Sequence, residues 1–197
     1  YSNDFESGLA GWTANDLNND GQGWSILNAS SLNSALGSGS LMSFSYVNQV
    51  GITPNNLITS PSIDLTSVTG SNLFLFYDQL TNTNYPDEHY AVYVTTSNDP
   101  ATIVASTPVF ETTVSNGSLV TKSINLTSFI GQTVYVSFRH FNCFDQYYLV
   151  IDNVKIKTLL ENDVQLVSAK LNRFGLLNSS NTITYTVKNT GSNPVTN

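Results

Sequence analysis

Short runs of β-branched and aromatic residues recur along the chain, separated by Gly, Asn, Asp, Ser and Pro, and a helical period is almost nowhere to be found. The runs predict strands over residues 40–47, 56–60, 73–80, 89–95, 104–113, 119–126, 133–141 and 147–157. Alternation assigns faces in two of them. Val134, Val136 and Phe138 point one way and Tyr135, Ser137, Arg139 and Phe141 the other. Likewise Tyr90, Val92 and Val94 oppose His89, Ala91, Tyr93 and Thr95. The first set of each pair is expected in the core, the second on an outer or concave face. Residues 147–151 are apolar at every position, the mark of a central strand covered on both sides. Turn chemistry lies between the runs at Tyr85-Pro86-Asp87, Asn116-Gly117 and Ile130-Gly131-Gln132. Two antiparallel sheets joined by long crossovers accommodate this pattern, so the expected fold is all-β, a jelly-roll β-sandwich.

The texture changes around residues 158–162, and two further amphipathic runs follow at 163–167 and 182–187. An isolated hairpin is marginal in water. Residues 1–158 are therefore expected to form the jelly roll, and 159–197 a linker and the first strands of an immunoglobulin-like domain. The competing reading adds these strands to an edge of the sandwich.

Composition narrows the partners. With 197 residues the chain is long enough to bury a substantial core. Charged residues are 11% of the chain, less than half of the roughly 25% of an average soluble domain; Asn, Ser and Thr supply the polar surface instead, as on exported β-proteins. Seven Lys+Arg stand against 14 Asp+Glu, for a formal charge of -7. Clustered cations for neutralising phosphate are missing, so nucleic acid and anionic membrane surfaces are not expected as partners. No apolar stretch approaches the ~18 residues of a membrane span. The single cysteine, Cys143, excludes an intrachain disulfide and reads as a small buried side chain. Tyr1 reads as a processed start, any targeting signal having been removed.

Four acids, Asp4, Glu6, Asp16 and Asp20, fall within the first twenty residues, and such crowding is self-repulsive unless a cation sits among them. Asp16-Leu17-Asn18-Asn19-Asp20-Gly21 places oxygen side chains at alternate positions ahead of a Gly, like the first half of a calcium loop. Its twelfth position is Leu27 rather than Glu, and no flanking helices are readable, so ordinary turn chemistry explains it equally well. A second candidate set joins Asp4 and Glu6 to Asp152, because the first and last strands of a jelly roll commonly lie side by side. Without a cation, Asp152 beside Asn153 is a strand-end turn residue.

Catalytic constellations are thin. No Gly-x-Ser-x-Gly occurs, His89 and His140 fall on different parities of their strands, and no third histidine completes a zinc site. Asp87-Glu88 follow Tyr85-Pro86 in a loop, where solvated acids are expected rather than a glycosidase pair. A non-catalytic chain is therefore expected. The outward set Tyr93, Tyr135, Arg139 and Phe141 offers rings to stack on sugars or protein side chains and a guanidinium donor fork. The alternative is that a loop or neighbouring domain covers these rings.

Several segments resemble the cleaved-adhesin domain repeated in gingipain-type proteases and haemagglutinins, also described as choice-of-anchor jelly rolls. They are Asp4-Phe5-Glu6-Ser7-Gly8 with Gly11-Trp12; residues 16–21 with Trp24; Leu57-Ile58-Thr59-Ser60-Pro61-Ser62-Ile63-Asp64-Leu65; Glu88-His89-Tyr90-Ala91-Val92-Tyr93-Val94-Thr95-Thr96; Phe138-Arg139-His140-Phe141-Asn142-Cys143; and Asp145-Gln146-Tyr147-Tyr148-Leu149 through Asp152-Asn153-Val154. The likeness runs to about Lys157. It implies a secreted or cell-surface β-sandwich with structural Ca²⁺, joined to further domains of the same polypeptide. Such a module attaches to host proteins, red cells or glycans without catalysis of its own. Glu6 and Asp152 match acidic positions that hold calcium in similar modules, and Asp16, Asn18 and Asp20 match the acidic loop ahead of the Trp. Asn153 and Asn18 stand where relatives often carry acids, which implies weaker affinity. The alternative function is a carbohydrate-binding accessory module of a secreted protease or glycoside hydrolase.

Overall fold

The structure, a computed structural model, describes residues 1–70, 72–160, 163–171, 183–191 and 193–194. In chain order the elements are β1 (Ser2–Asn3), β2 (Thr13–Asp16), β3 (Ser25–Leu27), β4 (Ser40–Phe44), β5 (Tyr46–Val47), β6 (Val50–Gly51), β7 (Asn55–Thr59), β8 (Ile63–Asp64), β9 (Leu73–Thr81), β10 (His89–Thr95), α1 (Pro100–Ala105), β11 (Phe110–Thr113), β12 (Val120–Asn125), β13 (Thr133–Phe141), β14 (Tyr148–Thr158), β15 (Val164–Leu171) and β16 (Ile183–Asn189). One sheet runs β12-β9-β14-β4-β3, with β1 also on β14; the other runs β11-β10-β13-β7-β2, with β8 also on β13. The expected all-β sandwich is the observed one. Its opening and closing strands do lie together, Ser2 opposite Lys155 and Asn3 opposite Val154.

The alternating positions meet between the sheets. Tyr90, Val92, Val134, Val136 and Phe138 pack against Leu75, Tyr77, Leu149 and Ile151. The Tyr77 and Tyr90 hydroxyls bond each other at 2.9 Å, and Tyr90 Oη donates to Gln79 Oε1 at 2.9 Å. Each buried phenol thus keeps a partner, and burial raises both above their usual acidity range. On its far side β14 presents Tyr148 and Val150 to Met42, Leu80, Ala29 and Leu36, the last two from the loop before β4. The uniformly apolar start of β14 is therefore covered on both faces, as its pattern requires.

The run at 104–113 departs from expectation, because its first residues finish a helix. Asp99 caps α1 by accepting the Thr102 amide at 2.8 Å, Pro100 opens the helix, and Ile103 is buried. Six residues are too few to display a helical period. The run at 40–47 also divides, and β5 and β6 are joined through Asn48 and Gln49 at φ of 52° and 66°, a left-handed pair that suits a tight hairpin. Among the described residues β15 and β16 pair with each other and with neither sandwich sheet. Leu166, Tyr185 and Val187 of this hairpin are exposed. Thr182, the first residue of the second amphipathic run, lies outside the described residues.

Candidate functional site

The structure brings Glu6 and Asp152 to the same short segment before and within β4. Ser38 Oγ donates to Glu6 Oε2, and the Gly39 amide donates to Glu6 Oε1 at 3.1 Å. Next in sequence, Ser40 Oγ donates to Asp152 Oδ2 at 2.8 Å. The fit is close: a Cβ on Gly37 would stand 1.7 Å from Glu6 Oε1, and one on Gly39 2.2 Å from the Phe5 carbonyl oxygen. Only glycine allows this approach. Asp152 is 1% exposed, and the ion pairs among the described residues, His89–Glu111 and His140–Glu88, leave it without a basic partner. Burial pushes its carboxyl above the usual range; hydrogen bonds from Ser40 and Asn153 oppose this, and the charges of Asp78 and Glu6 add to it. Asp152 and Glu6 offer oxygen ligands of the kind a hard cation such as Ca²⁺ takes, but among the described residues the group of three potential ligands that lies within 4.8 Å is Glu88, His140 and Cys143, not these carboxylates. Asp4 is exposed, and its Oδ1 accepts the Glu6 amide at 3.3 Å, which shapes the entry to this segment.

The 16–21 loop belongs to the other sheet, at the end of β2. Its polar groups largely satisfy one another: Asp16 Oδ2 accepts the Gly21 amide at 2.8 Å, Asp20 Oδ1 the Gln22 amide at 2.8 Å, and Asp20 Oδ2 the Asn18 amide group at 2.9 Å. That is turn chemistry. Asp16 Oδ1, enclosed and without a hydrogen-bond partner, is the one acceptor here that a cation would satisfy.

Tyr93, Tyr135, Arg139 and Phe141 share the outer face of the β10–β13 pair but not as an open row of rings. Tyr93 is 3% exposed because α1 lies over it, packing Ile103 with Leu57, Ala91 and Tyr93. Parity placed it away from the main core correctly, but the helix covers that side. Tyr135, half-buried, lies elsewhere along β13. Arg139 stacks over the Phe141 ring at 4.2 Å while its Nε donates to Asn55 Oδ1 at 2.9 Å. His89 meets the edge of Phe141 at 4.9 Å between ring centroids and is held by Thr113 and Glu111 at 2.8 and 3.0 Å.

Glu88 corrects a second expectation, since it is fully buried rather than solvated. Its Oε2 lies 2.9 Å from His140 Nε2, and Cys143 Sγ lies 3.2 Å from the same nitrogen. Ser43 Oγ meets His140 Nδ1 at 2.8 Å. Burial pushes the Glu88 carboxyl up, but the hydrogen bond and charge of His140, with Ser45 and Cys143, hold it below the usual range. Burial and then the Glu88 charge push the Cys143 thiol up, which disfavours the thiolate form. The three donors lie within 4.8 Å of one another, each already engaged with its neighbours. The other carboxylate oxygen, Oε1, accepts from Ser45 Oγ at 2.8 Å and from the Tyr147 amide at 2.9 Å. This buried network therefore anchors the surface loop 145–147.

That loop borders a groove which sequence reasoning missed. It lies where β9 ends, β14 begins and β4 gives way to β5. A depression of about 340 Å³ is lined by Tyr46, Tyr85, Tyr147, Asn82, Asp145 and Gln146, among others. Two neighbouring depressions also use Tyr147 as a wall. Tyr85 is 57% exposed and Tyr147 40%. Asn82 Oδ1 fixes the first loop by accepting the Asn84 and Tyr85 amides at 2.8 and 3.2 Å. Gly117, from the predicted Asn-Gly turn, passes so near this loop that a Cβ would stand 2.5 Å from Thr83 Cα. The two loops are joined where the Asp87 amide donates to Gln146 Oε1 at 3.2 Å. Tyr85, Asp145 and Tyr147 are scattered polar or aromatic positions in sequence, and only the closing of the β9, β14 and β4 ends brings them together.

The two-sheet order, the glycine-lined seat of Glu6 and the buried Glu88–His140–Cys143 cluster coincide with a match of residues 1–156 to the Cleaved Adhesin Domain model. The chain belongs to this family. It is 31% identical over 169 residues to a Lys-gingipain of Porphyromonas gingivalis, with 79% of this chain and 10% of that protein covered. It is also 31% identical over 194 residues to Hemagglutinin A of the same organism, covering 84% of this chain and 9% of the relative. The chain thus spans about a tenth of the length of these relatives. The K1 cleaved adhesin domain of Lys-gingipain superposes with a TM-score of 0.68 at 30% identity, covering 80% of this chain and 97% of the domain. A carbohydrate-binding module, TmCBM61, solved with beta-1,4-galactotriose, shares the fold at a TM-score of 0.53 and 11% identity, covering 78% of this chain and 93% of the module. The family is an adhesin domain.

Proposed function

We propose that this cleaved adhesin domain is a non-catalytic extracellular attachment module, secreted or held at the cell surface, that grips host proteins, cells or glycans. The observation that carries the reading is the open groove at Tyr147, whose loops are set by hydrogen bonds before any ligand arrives. The imidazoles support a non-catalytic role, since His140 is enclosed by Glu88, Ser43 and Cys143, and His89 is engaged by Glu111 and Thr113.

Calcium is the proposed structural partner. Glu6 and Asp152 would hold it, with Asp4 shaping the segment, and Asp16, Asn18 and Asp20 form the second candidate set. A bound Ca²⁺ would neutralise the charge that Asp152, Glu6 and Asp78 bring together. The β15–β16 hairpin is read as part of a further immunoglobulin-like domain of the same polypeptide, because two strands with exposed apolar side chains do not make a core.

The immobilised chain is expected to retain erythrocytes or at least one host matrix protein in calcium-containing buffer, and the heat-denatured chain to retain neither. Equal, background-level retention by both preparations would overturn the attachment reading.

A further inference from the structure

We infer that the groove around Tyr147 is a binding site for neutral oligosaccharides, an inference that rests on the attachment reading and names its ligand class. Sugar rings present apolar C–H faces and hydroxyls that both donate and accept. The groove offers aromatic faces at Tyr46, Tyr85 and Tyr147 beside the amides of Asn82 and Gln146, and amides likewise both donate and accept. Uncharged bidirectional polarity interleaved with rings suits a sugar better than an apolar peptide, which leaves the amides unanswered.

Charge decides which sugars. None of the three adjoining depressions is lined by lysine or arginine, and the first carries the carboxylate of Asp145. Sialylated or sulfated chains would enter without a counter-charge and meet a like one, which costs affinity. Extent points the same way. Tyr147 is shared by all three depressions, so a ligand crossing its ring can occupy more than one of them. An oligosaccharide has that length, while a monosaccharide fills one.

The site is also preorganised. The Tyr147 amide is fixed by the buried Glu88 carboxylate, the Tyr147 ring stands 6.0 Å from Tyr46 and 4.9 Å from Tyr148, and Asp145 presses on Gly51, where an added Cβ would come within 2.9 Å of its carboxylate. The backbone that carries the Tyr147 ring therefore has little freedom to lose on binding.

The test is calorimetric titration of the full chain with neutral β-linked galacto-, gluco-, manno- and xylo-hexaoses and with sialyllactose. At least one neutral hexaose is expected to bind, more tightly than sialyllactose, and Tyr147→Ala and Tyr85→Ala are each expected to weaken it roughly tenfold or more. Leu166→Ala, on the exposed β15–β16 hairpin and not among the groove's lining residues, should leave the affinity unchanged. Tyr85 is the more exposed of the two and keeps the test valid if Tyr147→Ala fails to fold. The inference is overturned if no neutral hexaose binds, if sialyllactose binds more tightly, or if both groove variants bind like the wild type. Should the wild type bind no sugar yet still retain cells, the ligand class fails while the attachment reading stands; if it retains no cells or matrix protein, that reading fails with it.

Discussion

The Tyr147 amide donates to Glu88 Oε1 at 2.9 Å, so a surface ring at the mouth of the groove is tied directly to a carboxylate buried between the sheets. Ser45 braces the same junction, donating to Glu88 and accepting from the Gln146 and Tyr147 amides at 3.1 Å each. Display at the surface depends here on a polar network that solvent does not reach.

The sign of the acid response follows from Glu88. Its folded-state value lies below its usual 4.5, so the unfolded chain binds the proton more readily. The stabilisation is present above about pH 4.5 and is lost as the pH falls through the folded value. Denaturant melts from pH 7 to pH 3 are expected to show this acid limb, and Glu88→Gln, which has no charge to lose, to flatten it. An unchanged limb in the variant would show that other carboxylates cause it. Glu88→Ala, which leaves His140 Nε2, Ser45 Oγ and the Tyr147 amide without their carboxylate partner, is expected to cost at least about 1–3 kcal/mol at pH 7.

Gly39 carries no side chain because the Phe5 carbonyl occupies the space. Gly39→Ala should cost about 1–3 kcal/mol by chemical denaturation, since the opposing atom is backbone and cannot swing away. Gly23→Ala, with nothing within 4 Å, is the contrasting control and should cost less.

Tyr93 and Tyr135 look alike by strand pattern and differ in role. Tyr93→Ala removes a ring buried beneath α1 and should cost about 3–5 kcal/mol, whereas half-buried Tyr135 should cost well under half of that. Equal costs in urea melts would contradict the covering role of the helix.

The proposed calcium at Glu6 and Asp152 would bind the folded chain in preference to the unfolded one. Calorimetric melts with calcium at about a hundredfold its dissociation constant are expected to lie on the order of 5–10 °C above melts in EDTA. Glu6→Gln should remove most of the difference. Identical melting temperatures with calcium and with EDTA would dismiss the ion as a structural partner.

The sandwich was legible wherever one face is apolar and the other is not. Val134, Val136 and Phe138 revealed their burial by spacing, and the unbroken apolar start of β14 revealed that it is covered twice. Short elements left no such trace: β1, β2 and β3 have two to four residues each, and α1 has six. The neighbourhood of β1 and β14 followed from topology, since strand neighbours in a jelly roll are constrained. The groove and the Glu88 cluster arise from loop ends that meet across 40 to 100 residues, as in the bonds of Ser45 to Glu88 and to the Gln146 amide, and no local period encodes such a meeting. Glu88 in particular sits one residue before β10 and reads as solvated until His140 is known to face it.

Cell capture by the immobilised chain, comparing wild type with Tyr147→Ala and Leu166→Ala at matched folded concentration, tests attachment through the groove most directly. Leu166→Ala is expected to hold as many erythrocytes as the wild type, and Tyr147→Ala to lose most of them while its melting temperature moves little. Undiminished capture by a folded Tyr147→Ala chain would contradict attachment through the groove.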